Sequence, residues 1–225
     1  NDFAEGDYTG MTINLTDAAG NTGSATIDNF TVDKTAPSIT TSSIASSNDT
    51  NNTLAKSGDT ITLTIVADEA IASPTVAFQS GGANVAGAVT VAAGDDDDAT
   101  TWSASYVVAD ADTDGAVTIS ITATDLAGNE AAAHTTISGG SSVTVDKADP
   151  SITTSSIASS NGTNTLAKSG DTITLTIVAD EDIASPTVTF ASGGQDIAAD
   201  RITVAAGDDD DATTWSASYV VADAD

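Results

Sequence analysis

Apolar side chains recur at every second position over several short stretches of the chain. Ile61, Leu63 and Ile65 alternate with threonines, Trp102, Ala104, Tyr106 and Val108 alternate with small or apolar residues, and Val117, Ile119, Ile121 and Ala123 alternate with threonine and serine. A period of two belongs to the β-strand, whose successive side chains point to opposite faces. Threonine is abundant, Lys, Arg, Gln and Glu are scarce, and turn clusters return about every 10 to 15 residues, so no helix of useful length is expected. The pattern predicts seven strands between residues 36 and 146: A at 38–46, B at 59–67, C at 74–80, D at 84–92, E at 100–108, F at 115–124 and G at 131–146.

Seven short strands in roughly 110 residues predict an all-β fold, a two-sheet antiparallel sandwich of immunoglobulin type. The chain has no cysteine, so an aliphatic core around Trp102 and Tyr106 is expected to replace the usual disulfide. The indole N–H and phenol O–H then need partners. The absence of cysteine also removes thiolate metal sites, and the redox compartment cannot be read.

The same pattern is written more than once. PSITTSSIASSN at 37–48 recurs at 150–161, SGDTITLTIVADE at 57–69 recurs at 169–181, and VAAGDDDDATTWSASYVVADAD at 91–112 recurs at 204–225. A weaker copy stands at the front: TDAAGN at 16–21 and VDKTAP at 32–37 match TDLAGN at 124–129 and VDKADP at 145–150. Repetition at this period indicates an array of tandem domains of about 113 residues arranged end to end. The chain therefore reads as residues 1–35, the last strands of one repeat, residues 36–146, a complete repeat, and residues 147–225, the front of a third. It is expected to be a window on a longer array.

Composition sharpens the functional expectation. With 33 acidic residues against 5 basic ones the formal net charge is −28, which repels phosphate backbones and anionic lipid headgroups and leaves cations as the natural partners. Nucleic acid is not expected as a partner. A hydrophobic share of 40% argues for a folded chain rather than an acidic tail. No apolar run is long enough for a membrane span, so direct membrane insertion is not expected of this segment.

The succession W-x-A-x-Y-x-V, D-x-D-x-D-G, T-D-x-A-G-N and V-D-K-T-A-P resembles the bacterial Ig-like tandem repeats of giant secreted adhesins and surface filaments of the RTX type, over essentially all 225 residues. The resemblance implies an extracellular, cell-surface rod stiffened by calcium at its domain junctions, often delivered by type I secretion. Its partners would be neighbouring repeats of the same chain.

Strand order sorts the carboxylates. In a seven-strand sandwich alternate loops lie at opposite poles. The incoming pole takes the linker with Asp33, the BC loop with Asp68 and Glu69, the DE loop with Asp95 to Asp98, and the FG loop with Asp125 and Asn129. The outgoing pole takes the EF loop with Asp110, Asp112 and Asp114. End-to-end stacking would bring that loop to Asp146 in the next linker and to Asp180, Glu181 and Asp182 in the next BC loop. Like charges about 4 Å apart repel by about 4 kcal/mol at an effective dielectric of 20, and a hard divalent cation reverses the sign. Calcium accepts 6 to 8 oxygen ligands in irregular geometry, whereas magnesium demands a near-octahedron and zinc prefers nitrogen or sulfur. His134 is the only histidine. Calcium, Ca2+, is therefore the expected ion.

Each motif also has a structural reading. Asp110-Ala-Asp112-Thr-Asp114-Gly115 copies the opening of an EF-hand loop, but Ile121 stands where its bidentate Glu belongs, so the alternative is an acidic turn. Asp125 either ligates a cation or caps a turn in which Gly128 and Asn129 take positive φ. The four-Asp runs at 95–98 and 208–211 alternate sides of the chain and read as solvated guards of a strand edge. No nucleophile elbow, P-loop or dinucleotide fingerprint is present, and no enzymatic activity is expected. Two alternatives to a stalk stand beside it. One is a filament subunit completed by strand donation between chains, because the repeats are cut out of phase. The other is an ice- or glycan-binding module, because threonines alternate along ITLTI.

Overall fold

The computed structural model describes residues 3–94, 99–207 and 212–223. The chain divides into two compact units, Asn1–Lys147 and Ala148–Asp225. The architecture is all-β, and the one helical element among the described residues is the single 3-10 turn Ala199–Arg201. None of those residues forms a helix long and apolar enough to cross a membrane.

Unit 1 opens with β1 (Gly6–Tyr8), β2 (Thr12–Thr16), β3 (Thr22–Thr26) and β4 (Phe30–Val32). β1 pairs with β4 and β2 with β3, both antiparallel. The rings of Phe3, Tyr8 and Phe30 cluster with centroids 5.0 to 5.8 Å apart.

Then follow β5 (Ile39–Ser46), β6 (Leu54–Ala55), β7 (Thr60–Ala67), β8 (Thr75–Ser80), β9 (Ala83–Asn84), β10 (Thr90–Ala93), β11 (Thr101–Val107), β12 (Gly115–Thr122) and β13 (Thr144–Val145). They build two sheets, ordered β10-β11-β7-β5 and β6-β13-β12-β8-β9. The alternating residues of the two sheets share one core: Ile61, Leu63 and Ile65 of β7 and Tyr106 of β11 pack with Phe78 of β8 and Ile119 and Ile121 of β12. Each such side chain contributes about 1.5–3 kcal/mol when fully buried, which is why period two survives as structure here.

Strands A, B, C, E and F fall within about two residues of the periodicity, an ordinary uncertainty at strand ends. Strand D is shorter than expected. A tight hairpin through Gly81 and Gly82 brings β9 back onto β8, so the edge strand begins only at Thr90. Strand G departs further. Of 131–146, only Thr144–Val145 is strand, paired antiparallel with β12 and parallel with β6. The segment before it has few alternating apolar residues and covers the β5 edge with serines instead. Ser138 Oγ accepts from Ser42 N at 2.8 Å and Ser141 Oγ from Ile44 N at 2.9 Å, while Gly139 N donates to Ser42 O at 2.8 Å. His134 bridges Ile121 through its backbone, and its Nε2 lies 3.3 Å from Ser42 Oγ.

Of the two aromatic anchors, Trp102 finds the expected partner for its indole N–H, and Tyr106 does not find one for its hydroxyl among the described residues. Trp102 is only partly buried, with its Nε1 donating to Ala99 O at 3.0 Å. Tyr106 sits in the core with no partner for its hydroxyl among the described residues, and burial, with the nearby Asp112 charge, pushes its pKa up to about 12.

Unit 2 comprises β14 (Ile152–Ser159), β15 (Thr172–Ala179), β16 (Ala191–Ser192), β17 (Gln195–Asp196), β18 (Thr203–Ala206) and β19 (Thr214–Val220). Its main sheet, β14-β15-β19-β18, repeats the order of β5-β7-β11-β10. The register irregularity at the start of β5 recurs in β14, with Thr40 Oγ1 donating to Val66 O at 3.1 Å and Thr153 Oγ1 to Val178 O at 3.0 Å. The remaining strands, β16 and β17, form a lone hairpin.

Candidate metal centre

The turn after β12 orders the first acidic side chain. Asp125 Oδ1 accepts from Gly128 N at 2.6 Å and Asn129 N at 2.7 Å, and its Oδ2 accepts from Asn129 Nδ2 at 2.7 Å. Gly128 supplies the left-handed step at φ +100. Asn129 is not left-handed as the sequence suggested; its contribution is the side-chain amide. TDAAGN folds the same way, Asp17 accepting from Ala19 N, Asn21 N and Asn21 Nδ2 at 2.7 to 2.9 Å. Asn129 Nδ2 also donates to Asp33 O at 3.2 Å, tying this loop to the linker after β4.

Three carboxylates meet there. Asp33 from the linker, Glu69 from the loop after β7 and Asp125 each offer an oxygen, and these oxygens lie within 4.8 Å of one another. Asp125 is 3% exposed, and the other two are half-buried. Burial pushes the Glu69 carboxyl above its ordinary range, and the charges of Asp33, Asp125, Asp68 and Glu5 add to that push. For Asp125 burial also acts upward, but the hydrogen bonds from Asn129 and Gly128 outweigh it and hold the carboxyl below its ordinary value. One group of the trio is thus locked as an anion while its neighbour resists ionising.

The donor set is entirely hard oxygen. Oxygens across a calcium ion, bound at 2.3–2.6 Å, lie at most about 5 Å apart, so the spacing fits such a cation. Asp33, Glu69 and Asp125 would hold it, with Asn129 fixing the Asp125 carboxylate from behind, as second-layer hydrogen bonds do in metal sites. The ion would supply the positive charge that makes ionised Glu69 tolerable.

The other expected ligands have different surroundings. Asp68, beside Glu69, turns away to Ser38, accepting from its N at 2.8 Å and its Oγ at 2.7 Å. In unit 2 Asp180 repeats this with Ser151 at 2.8 and 2.6 Å. Each pins the incoming segment to the loop after the second long strand. Glu181 is half-buried and Asp182 exposed in that loop. Asp146 follows β13, partly buried, and its N donates to Ala55 O at 2.8 Å.

The loop between β11 and β12 does not gather its three carboxylates within unit 1. Asp110 accepts from Ser57 Oγ. Asp112, 5% exposed, accepts from Ala86 N at 2.7 Å and Ala109 N at 2.9 Å. Asp114 pairs with Lys147 Nζ at 3.4 Å, and the same ammonium donates to Asp110 O at 3.0 Å and to Asp112 O. The D-x-D-x-D-G run behaves here as an internally bonded turn. The four-Asp runs lie outside the described residues.

Sequence reasoning overlooked Glu5, whose Oε1 accepts from Thr35 Oγ1 at 2.7 Å and whose charge reaches Glu69. It also overlooked Lys147 and Ser38. The repeated P-S-I-T and V-D-K were the available signals for those two. Comparison with protein-family models and with curated proteins finds no match to the chain.

Proposed function

We propose that the chain is a stretch of an extracellular stalk, built of tandem Ig-like repeats and straightened by calcium, belonging to a bacterial cell-surface adhesin or filament. The observation that carries the reading is the meeting of Asp33, Glu69 and Asp125 within 4.8 Å. A linker carboxylate and two loop carboxylates of the following repeat converge at the hinge. Without a cation their charges push the hinge apart. A cation shared among them joins linker to loops, and the folded, aligned state becomes the one that binds. Modules of this extracellular kind bind calcium with a Kd of roughly 10⁻⁴–10⁻³ M, and an ion at 100 times its Kd stabilises the binding state by about 2.7 kcal/mol per site.

The test compares Tm and small-angle scattering length in calcium and in chelator, for the native chain and for Glu69→Gln. Calcium is expected to raise Tm and lengthen the native chain. Glu69→Gln should lose the response and melt higher than the native chain in chelator, because the repelled carboxylate is gone. An unchanged Tm and length on calcium addition would sink the reading.

A further inference from the structure

The tripeptide Val-Asp-Lys occurs twice, at 32–34 and 145–147, and its lysine makes the same contact both times. β13 meets β12 with Val145 opposite Gly115. Lys147, two residues beyond Val145, reaches back over the turn before β12. Its Nζ donates to Asp112 O and, at 3.0 Å, to Asp110 O, and it pairs with Asp114 Oδ1 at 3.4 Å. At the front of unit 1, β4 meets β1 with Val32 opposite Gly6, and Gly6 has φ +130 where Gly115 has φ +134. There Lys34 Nζ donates to Phe3 O. Phe3 stands three residues before Gly6, as Asp112 stands three before Gly115, so the two ammonium groups hold equivalent places although the turn sequences differ. The acceptor common to both copies is a backbone carbonyl.

The aspartate between valine and lysine serves the opposite side. Asp33 joins Glu69 and Asp125 in the loops after β7 and β12, and its carbonyl accepts from Asn129 Nδ2 at 3.2 Å. Lys34 and Thr35 hold the segment before β1 instead: Thr35 Oγ1 donates to Glu5 Oε1 at 2.7 Å, while Thr35 N donates to Asp33 Oδ1 at 3.0 Å. Alanine, Ala148, replaces this threonine in the second copy, so the hydroxyl bond to Glu5 has no counterpart there. The lysine contact does. Metal ligands gain affinity when outer contacts fix them in advance, and an aspartate in a linker has few other means of being fixed.

We propose that Lys34 is a positioning residue of the hinge: its ammonium anchors the linker to the segment before β1 and so holds Asp33 in place for the cation shared with Glu69 and Asp125. The inference rests on the calcium reading for what Asp33 does, and on the Lys34 contact for how Asp33 is held. Two effects of the lysine carry opposite signs. As a positive charge near a cation site it would weaken calcium binding, whereas as an anchor it strengthens it. Removing the charge should therefore lower calcium affinity, a direction that electrostatics alone does not give.

The test follows the backbone amides of Gly128 and Asn129 by NMR as calcium is added to the 225-residue chain, for the native chain, Lys34→Met and Lys34→Arg. Backbone order parameters are measured on the same samples in chelator. Lys34→Met is expected to raise the calcium midpoint about tenfold. In chelator it should lower the order parameters of Asp33 and Thr35 from about 0.85 to below about 0.6, with those of β7 and β12 unchanged. Lys34→Arg, whose guanidinium can still donate to Phe3 O, should lie nearer the native chain in both measurements. A midpoint that stays or falls in Lys34→Met overturns the proposal, as do unchanged order parameters at Asp33 and Thr35. A loss of order spread through β7 and β12 overturns it too, because the lysine would then support the fold at large. Native amides that do not move with calcium sink the calcium reading, and the order parameters in chelator still decide whether Lys34 holds Asp33.

Discussion

Asp112 and Asp114 stand two residues apart in one acidic turn and do different work. Asp112 is buried and satisfies the amides of Ala86 and Ala109, whereas Asp114 is half-exposed and faces Lys147 at 3.4 Å. Asp112→Ala would remove the charged acceptor of the Ala86 and Ala109 amides, at about 1.5–3 kcal/mol per bond. Asp114→Ala removes a surface ion pair worth about 0–1 kcal/mol. Urea unfolding of the two variants should therefore separate them clearly, and equal losses would contradict the assigned partners. The sequence spacing D-x-D-x-D could not distinguish these roles, because a carboxylate that binds a cation and one that binds its own backbone differ only in which amides the fold brings close. The incoming-pole trio was more legible. Strand order alone grouped the linker with the loops after β7 and β12, and Asp33, Glu69 and Asp125 do meet. Asp68 belonged to the same group by sequence and was drawn off by Ser38.

At the level of elements, the long strands could be read from alternation because a buried face enforces it. The segment 131–143 could not, since its hydroxyls and Gly139 serve the β5 edge and leave no period. Gly139 has close neighbours: a Cβ there would meet Ser43 Cβ at 3.0 Å and Ser42 O at 3.1 Å. The repeated S-G-G turn offers an internal comparison. Gly81 has φ +55 and a Cβ on it would lie 2.3 Å from Asp114 O, whereas Gly193 has φ +58 and open space. Alanine at either position adopts the left-handed region at about 1–2 kcal/mol, and at Gly81 the overlap with backbone adds about 1–3 kcal/mol more. Amide exchange resolved by unit should show Gly81→Ala weakening unit 1 more than Gly193→Ala weakens unit 2. The reverse order would contradict the close packing of the two turns in unit 1.

For the whole molecule, acid and cation should act on stability with linked signs. The Ser38 amide and hydroxyl hold Asp68 below the ordinary 3.8, the Ser151 hydroxyl and amide do the same for Asp180, and the Asn161 side chain with Lys168 brings Asp171 down to about 2. Their stabilisation is complete above 3.8 and is lost as pH falls through the folded values. Glu69 runs the other way: its ordinary value is 4.5 and its folded value is higher, so its favourable contribution is complete below 4.5 and disappears as pH rises through the folded value. In chelator the chain is expected to melt highest near about pH 4 to 5. Glu69→Gln should reduce the fall on the alkaline side, and calcium should reverse it. A Tm that climbs steadily from pH 4 to 8 in chelator would contradict the strain assigned to Glu69. The parallel pairing of β6 with β13 carries a mechanical consequence as well. Tension applied through the two ends of unit 1 pulls these strands in opposite senses along their own axes. Thr144 N on Thr53 O and Asp146 N on Ala55 O are then loaded together in shear rather than peeled one after another, and a ladder of only two residue pairs becomes the clasp of its sheet under traction.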